Sequence, residues 1–254
     1  MTISLPPLHA DLAFNTPLSE ERAARLVRFL GADLRGTVVD VGCGWAELLL
    51  RVVAAAPGCT GLGLDLDAEA LEHGRRLAAQ RGLTERVRLV EADGKDAFPD
   101  SADAVICIGA SHVWSERPDG SLPMSYEAAL RAIRASLSRG ARVVYGEGVW
   151  SVPPTVQAAA PLGGRLDEFI SVAELVALAV DAGFAPVAVH EASLDEWDAF
   201  ESGFSAGYAH WLSEHDPQHP DAAEVRARAG RQWNGYLGGY RRHLGLAYLH
   251  LVAV

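Results

Sequence analysis

Five apolar runs in this chain each end in residues able to do chemistry. Thr37-Val38-Val39-Asp40-Val41 gives way to Gly42-Cys43-Gly44, and an apolar run from Ala46 to Leu50 follows at helical spacing. A strand, a glycine turn and a helix start let backbone N–H groups approach a ligand, although glycine turns also serve as plain connections. The third glycine of a dinucleotide-binding pattern is absent, because Glu47 stands there. The second run, Thr60–Leu64, ends at Asp65, which is placed to accept hydrogen bonds from both hydroxyls of a ribose. Capping the next helix is the other role open to an aspartate there, and Asp67 already fills it. The third run ends in Ala92-Asp93-Gly94, and the fourth in Ser111-His112-Val113-Trp114. A histidine titrates near neutrality, so His112 suits proton removal from a hydroxyl, thiol or amine; a loop histidine that simply packs is the plainer role. Around the end of the fifth run stand Tyr145, Glu147 and Trp150, an acidic and aromatic trio that could wall a pocket. Glu147 there is a second base, an anchor for the substrate, or a solvated loop residue.

The elements that must position these residues alternate strand and helix. Ser19 followed by Glu20 and Glu21 starts a helix whose apolar stripe is Leu26, Val27, Phe29 and Leu30. Helices over Ala68–Gln80, Tyr126–Leu137 and Ile170–Ala182 separate the strands Thr60–Leu64, Arg86–Glu91, Asp103–Gly109, Ala141–Gly146 and Ala185–His190. The fourth strand is nearly all apolar and reads as buried on both faces. Such alternation predicts a doubly wound α/β fold whose ligand edge is the carboxyl end of the strands.

The glycine turn and the two downstream aspartates resemble the class I S-adenosylmethionine-dependent methyltransferases of small-molecule type. The family's acidic-x-Gly-x-Gly-x-Gly motif matches Asp40-Val41-Gly42-Cys43-Gly44-Trp45 and departs at Ala46, where a third glycine is usual. The resemblance runs from Val38 to Gly148. It implies a seven-stranded Rossmann-like sheet with the last strand antiparallel, and S-adenosylmethionine as cofactor. It places Asp40, Gly42, Cys43, Gly44, Asp65, Leu66, Ala92, Asp93, Gly94, Ile108 and Gly109 around that cofactor. In the family the acid at the Asp93 position accepts from the adenine amine, with helix capping as the competing role. Asn15-Thr16-Pro17-Leu18 resembles the entry through which an N-terminal arm closes over the cofactor; an ordinary helix lead-in is the alternative. The (D/N)-P-P-(Y/F) motif of DNA and protein N-methyltransferases is not present after the fourth run, where His112 and its neighbours stand instead.

About 50 residues of helical text between the sixth and last strands exceed an ordinary connection. Trp197, Phe200, Phe204, Tyr208 and Trp211 recur at steps of three and four, which puts them on one helix face. A second helix is expected over Ala222–His243. The stripe is either core or, in part, a pocket wall, with Asn15, Trp114, Tyr145, Trp150, Phe204, Tyr208 and Trp211 as candidate acceptor contacts. His210, His215 and His219 do not read as a metal site, because Pro217 and Pro220 break the spacing ligation needs.

With 254 residues, a single domain is the simplest organisation: an N-terminal arm and helix over 1–30 and a cap insertion over 193–244. A formal charge of −11 opposes nucleic-acid and anionic-membrane partners and suits a cationic ligand. No run of 18 apolar residues reads as a membrane span, and the N-terminus lacks a basic, apolar leader, so a cytoplasmic location is expected. Cys43, Cys59 and Cys107 read as reduced, buried thiols. One lysine among many arginines and the alanine richness suggest a high-GC bacterial gene. The expected activity is methyl transfer to an oxygen, nitrogen or sulfur of a small molecule by a monomer or homodimer. Alternatives are non-methyl chemistry on the same cofactor, a nicotinamide-dependent oxidoreductase, or a binding module without catalysis.

Overall fold

The computed structural model describes residues 3–31, 33–115 and 124–254. Helix α1 (Glu20–Gly31) begins as the sequence predicts: Arg22 N–H donates to the Ser19 hydroxyl at 3.2 Å, and Leu26 and Leu30 are buried. There follow β1 (Gly36–Val41), α2 (Glu47–Ala55), β2 (Cys59–Asp65), α3 (Ala68–Gln80), β3 (Val87–Glu91), α4 (Gly94–Ala97) and β4 (Ala102–Ile108). A 3₁₀ turn (Ser111–Trp114) comes next, then α5 (Tyr126–Ala135), β5 (Leu137–Trp150), α6 (Val156–Ala159), α7 (Val172–Asp181) and β6 (Phe184–Glu191). Last are α8 (Leu194–Glu214), α9 (Ala222–Gly235), a π-helical turn (Tyr236–Tyr240) and β7 (Leu244–Ala253).

The sheet has seven strands in the order β3-β2-β1-β4-β5-β7-β6, and β7 runs antiparallel to β6, as the resemblance implies. Parallel pairing sets Val41 beside both Leu64 and Cys107, Asp65 beside Glu91, and Ile108 beside Gly146. That register brings the glycine turn, Asp65, Gly109 and Glu147 to one edge. Among the described residues no helix is long and apolar enough to cross a membrane.

The chain packs as two compact units. One holds Ser19–Val149, Glu168–Glu191 and Leu246–Val254 and carries almost all of the sheet; its core includes Val39, Val105, Tyr145, Phe184 and Leu249. The other holds the segment to Leu18, Trp150–Asp167 and Ala192–Gly245. In it Trp211, Ala222 and Val225 form a core under Ile3, Leu5, Tyr208 and Leu212.

Two elements differ from the sequence expectation. Strand β5 is longer at both ends: Leu137 already pairs with Ala102, a bulge adjusts the register, and Glu147 and Trp150 lie within the strand. Helix α9 stops at Gly235 and widens into the π turn, where Gly235 and Gly239 lie close against Pro161. A Cβ on either glycine would come within 3.1 Å of that proline, a close approach that apolar periodicity does not register.

Helix α3 lies close to the glycine turn through Gly74, whose added Cβ would meet Trp45 O at 2.8 Å and Leu89 Cδ1 at 2.7 Å. Helix propensity alone favours Gly74→Ala by about 1 kcal/mol. The backbone obstacle reverses the sign, with overpacking costing about 1–3 kcal/mol. Thermal melts should show Gly74→Ala below the parent; a rise would mean that α3 is free to move off the turn.

Candidate active site

The turn after β1 is tied to the end of β2. Gly42 and Cys43 N–H both donate to Leu64 O, at 2.9 and 3.1 Å, and Gly44 N–H donates to Asp65 Oδ2 at 2.6 Å. The first three N–H groups of the turn are therefore engaged within the protein. A phosphate cradle needs such donors free, so this turn offers a ligand close backbone approach and little anion binding. Gly42 adopts φ +67°, and a Cβ there would lie 2.7 Å from Ala110 Cβ. Gly44 and Gly109, at φ +53° and +67°, have open space where a Cβ would stand. Ala46, at the departure from the glycine motif, is left-handed at φ +59°. Glu47 is buried, with its carboxylate held by Arg51 and Arg81 at 2.7 Å each.

The same edge is acidic. Asp40 is 5% exposed, and among the described residues no hydrogen bond or ion pair reaches its carboxylate. Burial, and then the charge of Asp65, hold its carboxyl well above the ordinary aspartate range. Burial and the same two acids push the Cys43 thiol up as well. Asp65 is less free than its spacing suggests: Oδ2 takes Gly44 N–H, and Oδ1 takes Asp67 N–H at 2.9 Å. Each oxygen accepts two bonds, so one lone pair on each remains for a ligand. Leu66 beside it is 69% exposed, a bare apolar side chain at the edge. Ala92 N–H is bound to Asp65 O at 3.0 Å, and Asp93 caps α4 through Lys95 N–H at 2.8 Å, so the capping role exists there. Gly94 is buried, where a Cβ would meet Val41 and Val113.

At the end of β4, Gly109 N–H donates to Gly146 O, and the chain enters the 3₁₀ turn. Ser111 is fully buried and its N–H donates to Glu147 Oε2 at 3.0 Å. Gly148 N–H donates to Glu147 Oε1 at 3.0 Å, and the Ser111 and Tyr145 hydroxyls are bound to each other. Glu147 is 3% exposed, so it is not the solvated loop residue that was one of its sequence readings. Burial raises its carboxyl, against the opposing pull of its Ser111 and Gly148 bonds and of the nearby His112. The His112 side chain is exposed, and among the described residues no hydrogen bond joins its ring to Glu147. Two expected pocket walls belong to the core instead. Tyr145 is fully buried, and Trp114 packs edge-on against Phe98 with 6% exposure. Both belong to the core cluster that includes Val105, Cys107 and Val143, and burial of apolar ring surface draws them inward.

The remaining candidates lie in the second unit. Asn15 is exposed, and Trp150 donates its indole N–H to Leu166 O at 3.0 Å. The aromatic stripe of α8 divides: Trp197, Phe200 and Phe204 contact one another in series, whereas Trp211 stacks on His215 with ring centres 4.0 Å apart. Tyr208 lies with Trp211 in the smaller core. His210 pairs with Asp11 at 3.1 Å. Among the described residues no group of three His, Cys, Asp or Glu side chains gathers to hold a metal.

The unpaired Asp40 has a measurable consequence. A carboxyl raised on folding adds stability that is present at low pH and lost as pH rises through its folded-state value. Asp40→Asn removes that loss. The ligand-free variant should melt above the parent at pH 7, and the gap should close as pH falls below the raised value. A variant that melts lower at neutral pH shows that the carboxylate has a partner.

Residues 38–140 match a family model described as a methyltransferase domain. The uncharacterised protein YjhP of Escherichia coli (strain K12) is 27% identical over 242 residues, covering 94% of this chain and 93% of that protein. The crystal structure of an S-adenosylmethionine-dependent methyltransferase from Thiobacillus denitrificans, in complex with S-adenosyl-L-homocysteine, superposes with a TM-score of 0.81. It is 25% identical and covers 97% of this chain and 96% of that one. O-demethylpuromycin-O-methyltransferase of Streptomyces alboniger is 31% identical over 138 residues; the match covers 54% of this chain and 34% of that enzyme. The cofactor these comparisons name fits the edge: open space at Gly44, an unpaired buried carboxylate for its cationic end, and Asp65 lone pairs for its ribose. In its fold, in the methyltransferase domain match over residues 38–140 and in its acidic, donor-poor glycine turn, the chain is similar to the class I S-adenosylmethionine-dependent methyltransferases.

Proposed function

We propose that this enzyme methylates an oxygen, nitrogen or sulfur nucleophile of a small molecule in the cytoplasm, with His112 as general base. The observation that carries the reading is the tip of β4. There an exposed imidazole stands on a turn whose backbone is held from behind by a buried carboxylate. The net charge of −11 supports an acceptor that is not a nucleic acid. The likeness to O-demethylpuromycin-O-methyltransferase supports a small molecule. Three free thiols suit a reducing compartment.

When bound, S-adenosylmethionine supplies an electrophilic methyl on a sulfonium, open to in-line displacement. The protein's part is to hold the nucleophile in line and to take its proton. Asp40 and Asp65 give the cofactor edge an acidic field that favours a cation over a phosphate-bearing nucleotide. Glu147 acts through others: it accepts Ser111 N–H and fixes the turn that carries His112.

Replacing Asp65 by Ala should weaken S-adenosylhomocysteine binding by roughly 1.5–3 kcal/mol, since a charged acceptor leaves the ribose. Calorimetry decides it, and tight NAD binding by the parent would count against the assignment equally. His112→Ala should lower kcat by about 10²-fold or more with cofactor affinity unchanged. The deficit should shrink as pH rises and the acceptor ionises unaided. Parental kcat at neutral pH in His112→Ala would leave the enzyme to work by positioning alone.

A further inference from the structure

Where α1 meets β6 and β7, a cluster of cationic and titratable side chains stands apart from the cofactor edge. All of it belongs to the unit that carries almost all of the sheet. His190 of β6 and His250 of β7 meet edge-on, with ring centres 5.4 Å apart, on strands that pair in antiparallel register. Phe29 of α1 stacks on His250 at 4.6 Å, and His250 is 6% exposed. The His250 Nε2 is shielded from water and has no hydrogen-bond partner. Arg22 and Arg25 of α1 both act on His250 electrostatically. The Arg22 guanidinium lies 5.4 Å from the Tyr248 ring centre and donates to Glu191 O at 3.0 Å. Arg25 is paired with Glu21 at 2.7 Å, and its Nε is shielded without a partner. From β5, Arg142 adds another cation by donating to Phe29 O at 3.2 Å.

Neutral imidazoles suit this place and protonated ones do not. A protonated ring carries N–H at both nitrogens, so His250 would then bury a donor at Nε2 with no acceptor. It would also add a positive charge beside Arg22 and Arg25, and a protonated His190 would add another. Burial first, then His190 and the two arginines, hold His250 down from 6.5 to about 4. Burial and the same arginines lower His190 as well. A histidine held below its ordinary value contributes stability that is whole above that value and lost as pH falls toward the folded one, here between 6.5 and about 4. The groups that would repel one another divide between α1 and the two strands, so separating helix from strands relieves the repulsion and wets Nε2. We propose that the His190–His250 pair is an acid-sensitive latch, which seats α1 on β6 and β7 while neutral and lets it lift once protonated. The far side of α1 makes the seating matter at the cofactor edge. There Glu20 pairs with Arg51, which also holds Glu47 at the start of α2, directly after the glycine turn.

The test compares the full-length parent with His250→Phe, which keeps a ring against Phe29 and cannot be charged, and with His190→Gln. Urea unfolding is followed from pH 7.5 to 4.5. Relative to His250→Phe, the folding equilibrium of the parent should fall about tenfold for each pH unit below 6.5. His190→Gln should show a smaller fall than the parent, and it carries the comparison alone if His250→Phe does not fold. The Asp40 carboxyl, whose effect runs the other way, is common to all three proteins and cancels. Amide exchange, corrected for its intrinsic dependence on pH, places the loss. In the parent, protection of α1 should fall before that of α5 as pH drops, and in His250→Phe the two helices should fall together. Parallel pH dependence in the parent and both variants would overturn the proposal. So would equal loss of protection in α1 and α5 of the parent, because acid would then unfold the unit as a whole and no latch would open.

Discussion

Everything at the cofactor edge depends on how the turn after β1 is bound to the end of β2. Leu64 O takes two N–H groups and the Asp65 carboxylate takes a third, so the glycine turn is held by its own sheet. In a phosphate-binding turn the same donors face outward, and the ligand completes them. Here Asp65 does what a phosphate would do and leaves its remaining lone pairs to the edge. The turn thus offers close backbone approach without free N–H donors, and the difference lies in one carboxylate at the end of the neighbouring strand.

That arrangement concentrates negative charge. Asp40 lies buried behind the turn, and Asp65 raises its carboxyl further than burial alone. Glu47 is also buried near the turn but is neutralised by two arginines and Asp65 takes two backbone N–H groups, so among the described residues it is the Asp40 carboxyl that has no hydrogen bond or ion pair. Holding a carboxylate without a partner destabilises the empty protein, and a cationic ligand offsets it. Binding groups preorganised at the expense of stability are common at functional sites.

The end of β4 is built differently. Ser111, Tyr145 and Glu147 make a closed network in the core, every member bound to another or to backbone. A satisfied buried network rigidifies what it touches. What it touches is the short turn bearing His112, so an exposed titratable group stands on a stiff base. Tyr126 extends the stiffening by donating its hydroxyl to Gly148 O at 2.6 Å.

The sequence by itself determined the order of the principal strands and helices, the helix caps at Ser19 and Asp67, and the residues at the ends of β1 to β4. These are local matters: apolar period, capping chemistry and glycine's freedom at positive φ act over a few residues. Glu174 and Glu196 complete capping boxes with Ser171 and Ser193, a three-residue spacing equally legible in the text. Tertiary structure alone decided what those strand ends do. Asp65 sits 21 positions from Gly44, and only parallel pairing lets its carboxylate take that N–H. Glu147 and Ser111 are 36 apart, and the register of β4 against β5 turns an acid legible as a base, an anchor or a loop residue into a buried brace. Likewise the period of α8 put Trp197 and Trp211 on one face, but packing sent them to different neighbours, because spacing fixes a direction and not what lies along it.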